Sequence, residues 1–219
     1  MDENFENIIN EEVTRVFANN PFIRDRDHRE NYPWLTGFLG NPKSKVMFIA
    51  ENPSLHQIHM ANEDPKLQSK EMQWNVSRSD KKFRQMLVEN GFKEGTIDNT
   101  NGWNCYITYL VKIAVKPKNW KMLKEETKFR IAKWFSTVLQ KEIDFINPSV
   151  VVVMGLKTTK TMFDRLVAEG FLKIPQGTHV KYIWHYSYFL RGGWRKEYLE
   201  KYATKFRELK ELVDKSPKI

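Results

Sequence analysis

The chain has 219 residues and a net charge of +9, with 41% hydrophobic and 29% charged residues. This balance is typical of a globular protein with a full core, and a basic protein of this size is attracted to polyanions such as nucleic acids. No apolar run approaches the roughly 18 residues that cross a bilayer, and the acidic N-terminus is unlike a secretory signal, so we expect a cytoplasmic protein without membrane contact.

Cysteine and histidine content limits the metal chemistry. Cys105 is the only cysteine, which excludes a disulfide within the chain, a multi-cysteine zinc site and an iron–sulfur cluster held by this chain alone. His56 and His59 are spaced to share a metal on a helix, but no neighbouring residue completes a familiar ligand set. We therefore expect neither a metal nor another cofactor.

The predicted elements begin with an amphipathic helix over residues 3–18, whose apolar side chains fall on one face. Prolines and glycines then predict an irregular segment over 20–43. Beyond it, short and almost continuously apolar runs, typical of strands covered on both faces, alternate with helical patterns. The predicted strands are 46–50, 105–110, 150–154 and 180–184, and the later helices are 79–90, 121–141, 157–169 and 195–214.

This alternation predicts an α/β fold of three layers, α/β/α, around a central, mostly parallel four-stranded sheet. No repeat or low-complexity linker divides the chain, so we expect one domain over residues 1–219. Ligands of such sheets bind beyond the carboxyl ends of the strands, which directs attention to the loops that follow each predicted strand.

The loop after the first strand contains Glu51 and Asn52. A carboxylate and a carboxamide there could hold a water molecule, although Glu-Asn-Pro is also an ordinary turn. His185 follows the fourth strand, where an imidazole can donate a hydrogen bond to developing negative charge or simply cap a core strand. Tyr188 and the residues after it resemble an exposed apolar wedge that ends in a phosphate contact, Arg191.

Four segments resemble, in order and spacing, the motifs of the uracil-DNA glycosylase superfamily. Those motifs are a Gly-x-x-Pro loop, a Tyr-Ile-Thr-Asn-x-x-Lys strand, a Pro-x-Val-Val-Val-x-Leu-Gly strand and a His-Pro-Ser loop. The resemblance covers about residues 45–192. The matching segments are Ala50-Glu51-Asn52-Pro53-Ser54, Tyr106-Ile107-Thr108-Tyr109-Leu110-Val111-Lys112, 148–155 and His185-Tyr186-Ser187.

The resemblance implies a monofunctional DNA glycosylase, which flips a base out of DNA and hydrolyses its N-glycosidic bond to leave an abasic site. Glu51 falls where the thermostable branch has its catalytic acid, and Asn52 where other branches have an asparagine that positions water, so either could serve. His185 matches the histidine that stabilises the departing base anion. We expect a monomer that acts on single- or double-stranded DNA.

The resemblance also implies the surrounding contacts. Trp74 lies one position from the residue that stacks on the flipped base, Tyr109 falls at the position that reads the base edge, and Ser54 is small where the strictest uracil enzymes place a tyrosine. The expected DNA contacts are Lys112, Lys157, Ser187, Tyr188, Phe189, Leu190 and Arg191.

Two departures from the motifs bear on the substrate. Tyr109 replaces the amide that reads uracil, and a phenol offers a single hydroxyl and much more bulk where an amide offers a separate donor and acceptor. We therefore expect a modified or non-uracil base, in repair or in defence against phage. Alternatively, Tyr109 turns into the core and Asn104 reads the base. Tyr186 replaces the proline, and together with Tyr109 it leaves open a catalytically weak DNA-binding member. An unrelated nucleotide-binding fold is disfavoured because no Gly-x-Gly-x-x-Gly loop is present.

Overall fold

The computed structural model describes residues 3–20, 22, 35–53, 60, 63–115, 117–190 and 195–215, including side chains except at 117, 189, 190 and 195. The strands are β1 (Phe38–Gly40), β2 (Val46–Ala50), β3 (Tyr106–Tyr109), β4 (Val150–Met154) and β5 (His179–Ile183). The helices are α1 (Glu3–Ala18), α2 (Arg78–Glu89), α3 (Pro117–Met122), α4 (Glu125–Ile146), α5 (Thr158–Ala168) and α6 (Arg195–Lys215).

The sheet has the strand order β1-β3-β2-β4-β5. β2 pairs in parallel with β3 and β4, and β4 pairs in parallel with β5, whereas β1 pairs antiparallel with β3. The register places Ala50 opposite Tyr109 and Met154 opposite Ile183. The carboxyl ends of all four parallel strands therefore meet at one edge, called the carboxyl edge below.

The expected four-stranded sheet is corrected to five strands, because β1 lies within the segment predicted to be irregular. β1 has three residues and depends on pairing with β3 rather than on a hydrophobic period of its own. Gly40 has a φ of 107°, and a Cβ there would lie 2.3 Å from the carbonyl oxygen of Cys105. A glycine that signals a turn in the sequence thus serves a close approach between two strands.

Alternating side chains of β2 supply two hydrophobic layers. Met47 and Ile49 pack on one face of the sheet with residues of α1, α4 and α5. Val46, Phe48 and Ala50 pack on the other face with residues of α2 and α6. This confirms the three-layer α/β/α prediction, since both faces of the sheet are covered by helices.

Most predicted helix and strand ends agree with the structure to within about two residues, the usual uncertainty of such boundaries. The helix predicted over 121–141 is instead two helices, α3 and α4. The break lies at Lys124, which has an extended backbone (ψ 146°) and is the N-cap that precedes α4. Within the described ranges, no helix is both long and apolar enough to cross a membrane.

Candidate active site at the carboxyl edge

Backbone hydrogen bonds hold the loops that leave the carboxyl edge. The amide of Val111 donates to the carbonyl of Glu51 (3.0 Å), and the amide of Gly155 donates to the carbonyl of Ile183 (2.8 Å). Glu51 follows β2 and His185 follows β5, with β4 between them. Two strand spacings separate their backbones by about 10 Å.

Glu51 is half-buried, and its Oε1 accepts a hydrogen bond of 2.7 Å from the indole Nε1 of Trp120 in α3. Burial raises the pKa of the Glu51 carboxyl, while the Trp120 hydrogen bond and the charges of Lys128 and Lys121 act in the opposite direction. A carboxylate with a raised pKa is a stronger base than an exposed one, and Trp120 keeps one of its oxygens in a defined orientation.

Asn52, the other residue expected to hold water, makes a local contact. Its Nδ2 donates a hydrogen bond of 2.9 Å to the carbonyl of Pro53. This contact is typical of the ordinary turn that Glu-Asn-Pro also predicts. Ser54, expected near the base, lies outside the described residues.

His185 is oriented by the residue two positions later. The backbone amide of Ser187 donates to Nδ1 of His185 (3.2 Å), and the Ser187 hydroxyl lies 2.9 Å from the same nitrogen. Since an amide only donates, Nδ1 accepts, so the proton of the neutral imidazole is inferred to reside on Nε2. The ring thereby presents an N–H at Nε2 as its donor, the group that a leaving anion requires. Ser187, expected to contact DNA, is thus also part of the support of His185.

Tyr186 forms the middle of a column of three rings. Its ring stacks on Phe83 of α2 (centroids 5.0 Å apart, planes at 19°) and on His185 (4.3 Å, 28°). Its hydroxyl is hydrogen-bonded to Tyr109 and to Asp80, and burial raises its pKa well above the ordinary value. The sequence marked Tyr186 only as a departure from a motif; nothing in its spacing signals these contacts.

Trp74 and Tyr109 stack on each other, with centroids 4.5 Å apart and planes at 17°. Their exposed fractions are 0% and 1%. Both rings thus pack against each other in the protein core, whereas the expected roles of Trp74 as a platform for the base and of Tyr109 as reader of its edge would need a ring face open to a ligand. The alternative in which Tyr109 turns into the core is confirmed.

The second half of that alternative, in which Asn104 reads the base, is wrong. Asn104 precedes β3 at the amino end of the strand, opposite the carboxyl edge. Its exposed amide donates to the carbonyl of Gly91 (3.1 Å) and to the carboxylate of Glu94 (3.2 Å). The side chain thus fastens a loop at the far end of the sheet.

The backbone of Trp74 has a positive φ of 55°, a conformation that costs a bulky residue about 1–3 kcal/mol. Neighbouring hydrogen bonds hold it there. Gln73 accepts from the amide of Gly37 (3.0 Å), and Arg84 donates to the carbonyl of Gln73 (2.6 Å). The indole nitrogen of Trp74 is buried without a hydrogen-bond partner among the described residues.

Lys112, expected to contact a phosphate, is a core residue instead. It is 2% exposed, and its Nζ lies 2.9 Å from Oε1 of Glu142, which also accepts from the Tyr106 hydroxyl (2.8 Å). Position in a motif does not report the direction of a side chain, and the Lys112 side chain points to α4 rather than to solvent. A buried ion pair with additional hydrogen bonds accounts for this lysine structurally.

Other lysines offer the exposed charge that Lys112 does not. On α3, Lys118 and Lys121 are exposed while Trp120 points inward to Glu51. The short helix therefore carries exposed positive charge next to Glu51. The sequence analysis did not single them out because Lys118 was expected in a loop and Lys121 at the start of the helix predicted over 121–141, whereas both lie on α3. Lys157, exposed where β4 leads into α5, remains a predicted phosphate contact.

The predicted wedge is described only in part. Tyr188 is half-buried, with its ring 5.6 Å from that of Tyr198 in α6. The side chains of Phe189 and Leu190, and all of Arg191, lie outside the described part of the chain, so their DNA contacts remain predictions.

The donor set does not fit an iron–sulfur cluster. An iron–sulfur cluster needs several thiolates, whereas this chain has only Cys105, which is fully buried and whose thiol pKa is raised by burial. Among the described residues, no group of three or more His, Cys, Asp and Glu side chains could hold a metal ion. His56 and His59 lie outside those residues.

Comparison with known proteins agrees with the motif order. The family model of the uracil DNA glycosylase superfamily matches residues 38–207. A type-4 uracil-DNA glycosylase from Sulfurisphaera tokodaii is 28% identical over 148 residues, which cover 68% of this chain and 56% of that protein. The match thus spans little more than half the length of this relative. The chain belongs to the uracil DNA glycosylase superfamily.

Proposed function

We propose that the protein is a DNA glycosylase that hydrolyses the N-glycosidic bond of a flipped-out nucleotide, acting as a cytoplasmic, single-domain monomer. One observation carries the proposal most directly. A carboxylate with a raised pKa, Glu51, and an imidazole with its donor on Nε2, His185, leave the same edge of the sheet in a chain of this superfamily.

In the proposed reaction Glu51 accepts a proton from water, and the water oxygen bonds to the anomeric carbon of the sugar. The bond between that carbon and the base nitrogen breaks, and its electron pair leaves with the base. Because the transition state resembles an oxocarbenium ion, placed charge contributes more than a strong nucleophile. His185 donates from Nε2 to the departing base anion. Water is the nucleophile, so no Schiff base forms and the strand is not cleaved.

We assign the base role to Glu51 rather than to Asn52. Glu51 is partly desolvated and oriented by Trp120, both of which favour proton transfer. The amide of Asn52 already donates to the neighbouring carbonyl, and its oxygen is a much weaker base. Asn52 would then help to position the water while Glu51 accepts its proton.

The preferred substrate in this proposal is a modified or non-uracil base. The amide that reads uracil is replaced by Tyr109, and the buried stack with Trp74 takes that position out of base recognition. Without a two-point hydrogen-bond reader, discrimination in favour of uracil falls steeply. A hypermodified base would make the protein a defence against phage, and a damaged base would make it a repair enzyme.

The DNA would lie across the carboxyl edge. Lys118 and Lys121 on α3 and Lys157 before α5 are exposed there, and the net charge of +9 favours a polyanion. Lys121 is also close enough to Glu51 to lower the pKa of that carboxyl, which supports a phosphate position beside the reacting nucleotide.

The test is a panel of oligonucleotides that contain uracil, hypoxanthine or C5-modified cytosines, together with phage DNAs that contain modified bases. Abasic sites are detected after incubation with the wild-type protein and with Glu51→Gln. Abasic sites from at least one modified base, formed faster than from uracil and not by the variant, are the expected result.

A second candidate function is a DNA-binding member with little or no catalysis. The stack of Trp74 on Tyr109 favours it, because the positions that would hold and read a base are both filled by the protein. DNA binding without abasic sites from any member of the panel would support this function and overturn the first.

A further inference from the structure

We propose that Tyr186 is a positioning residue for His185, anchored by a hydrogen-bonded chain that runs from Tyr109 through Tyr186 to Asp80. The inference rests on the proposed function, in which His185 stabilises the leaving base. It assigns to Tyr186 and Asp80 a part in the reaction although neither touches the substrate.

The direction of the chain follows from what each group can donate. The hydroxyl of Tyr186 contacts both Asp80 and Tyr109. A carboxylate only accepts, so the single proton of Tyr186 is donated to Asp80, and the Tyr186 oxygen accepts from the Tyr109 hydroxyl. The Tyr186 hydroxyl thereby has both a donor and an acceptor partner, which makes its buried position specific as well as stable.

The Asp80 end of this hydrogen-bonded chain is fixed by the first turn of α2. Asp80 is 1% exposed, its Oδ2 accepts from the amide of Ser77 (2.8 Å), and the Ser77 hydroxyl accepts from the amide of Asp80 (3.2 Å). This capping box sits where the helix dipole favours negative charge. The carboxylate is therefore immobile, and so is the hydroxyl that donates to it.

The anchored ring in turn limits the imidazole. Tyr186 lies between Phe83 and His185, with parallel planes on both sides. A flip of the His185 ring would remove Nδ1 from the amide of Ser187 while the stacked face of Tyr186 resists the motion. The stack and the amide together keep the tautomer that donates from Nε2.

The test uses two substitutions at one position. Tyr186→Phe keeps the ring and removes the hydroxyl, whereas Tyr186→Leu removes the ring. NMR of the imidazole nitrogens of His185 in the free protein reports tautomer and ring order, and single-turnover base release reports the reaction. DNA affinity, measured separately, reports binding.

We expect Tyr186→Leu to populate both tautomers and to slow base release about 100-fold, close to the loss in His185→Ala, at unchanged DNA affinity. Tyr186→Phe should keep the tautomer, broaden the imidazole signals and slow release about 10-fold, a loss of about 1.4 kcal/mol that matches one buried hydrogen bond. In a His185→Ala background, Tyr186→Leu should have little further effect.

An unchanged His185 spectrum in Tyr186→Leu, or an equally large loss of rate on top of His185→Ala, would overturn the inference. If Tyr186→Leu does not fold, the same measurements on Tyr186→Phe test the inference. Unchanged imidazole signals of His185 together with a wild-type rate of base release in that variant would overturn it. The spectra do not depend on activity. A wild type that releases no base would defeat the proposed function while the NMR result still decides the positioning of His185.

Discussion

The side chains of Tyr109 and Tyr186 are hydrogen-bonded to each other, and these residues stand at two positions where the chain departs from the superfamily motifs. One replaces an amide and the other a proline. A proline at 186 would leave the buried Tyr109 hydroxyl without this partner, at a cost of about 1–3 kcal/mol. The two departures are therefore one structural feature, in which Tyr109 is buried and Tyr186 stacks on His185.

Tyr109→Asn distinguishes the role that the motif implies for residue 109 from the role that its buried stack on Trp74 implies. The motif alone predicts that the restored amide raises uracil release. The buried stack on Trp74 predicts instead that the truncated ring lowers the free energy of unfolding by about 3–5 kcal/mol, without restoring uracil release. Denaturant unfolding measures the first quantity and uracil release per folded molecule the second. Tyr109→Phe is the matched control, with a loss of about 1 kcal/mol. A stable Tyr109→Asn variant with rapid uracil release would return residue 109 to the base pocket.

The pH dependence of base release tests Glu51. Only the carboxylate accepts a proton from water, so the rate should rise with pH through a pKa above the ordinary carboxyl value. Trp120→Phe removes a donor that lowers this pKa, and the rising limb should therefore move to higher pH. A pH–rate profile under single turnover measures both. A limb that stays in place or moves to lower pH would exclude Glu51 as the titrating group.

The stability of Glu51→Gln tests the raised pKa of Glu51 without measuring activity. Because this pKa is raised in the folded state, the favourable contribution of Glu51 to the free energy of unfolding is present below the unfolded pKa and is lost as pH rises through the folded pKa. Glutamine stays neutral at every pH. The variant should therefore be more stable than wild type at neutral pH, with the difference vanishing at acidic pH. Unfolding free energies at both pH values provide the comparison, and a variant less stable at neutral pH would contradict it.

Much of the fold could be predicted because four strands bury nearly continuous apolar runs and the helices between them have clear periods. β1 could not, since a strand of three residues, Phe38–Gly40, that ends in a glycine carries no hydrophobic period. The direction in which a side chain points was the other feature that the sequence could not predict. Motif position placed Lys112 and Trp74 near the DNA, but whether a side chain points to solvent or to α4 is decided by neighbours distant in sequence, such as Glu142.

The lysines provide a matched test of where DNA lies. Lys118→Gln, Lys121→Gln and Lys157→Gln should each flatten the slope of log affinity against log salt by about one unit. Lys112→Met should leave the slope unchanged and lower the free energy of unfolding by about 3–5 kcal/mol, because it leaves the buried Glu142 charge unpaired. A flatter slope in Lys112→Met alone would move the DNA away from α3.

The central claim is that Glu51 and His185 hydrolyse a base–sugar bond at the carboxyl edge. The most direct test compares the single-turnover rate of abasic-site formation in wild type, Glu51→Gln and His185→Ala, each saturating the best DNA substrate. The account predicts that each variant is at least about 100-fold slower at unchanged DNA affinity and remains folded. Wild-type rates in both variants, or no abasic site from wild type on any DNA of the panel, would contradict it.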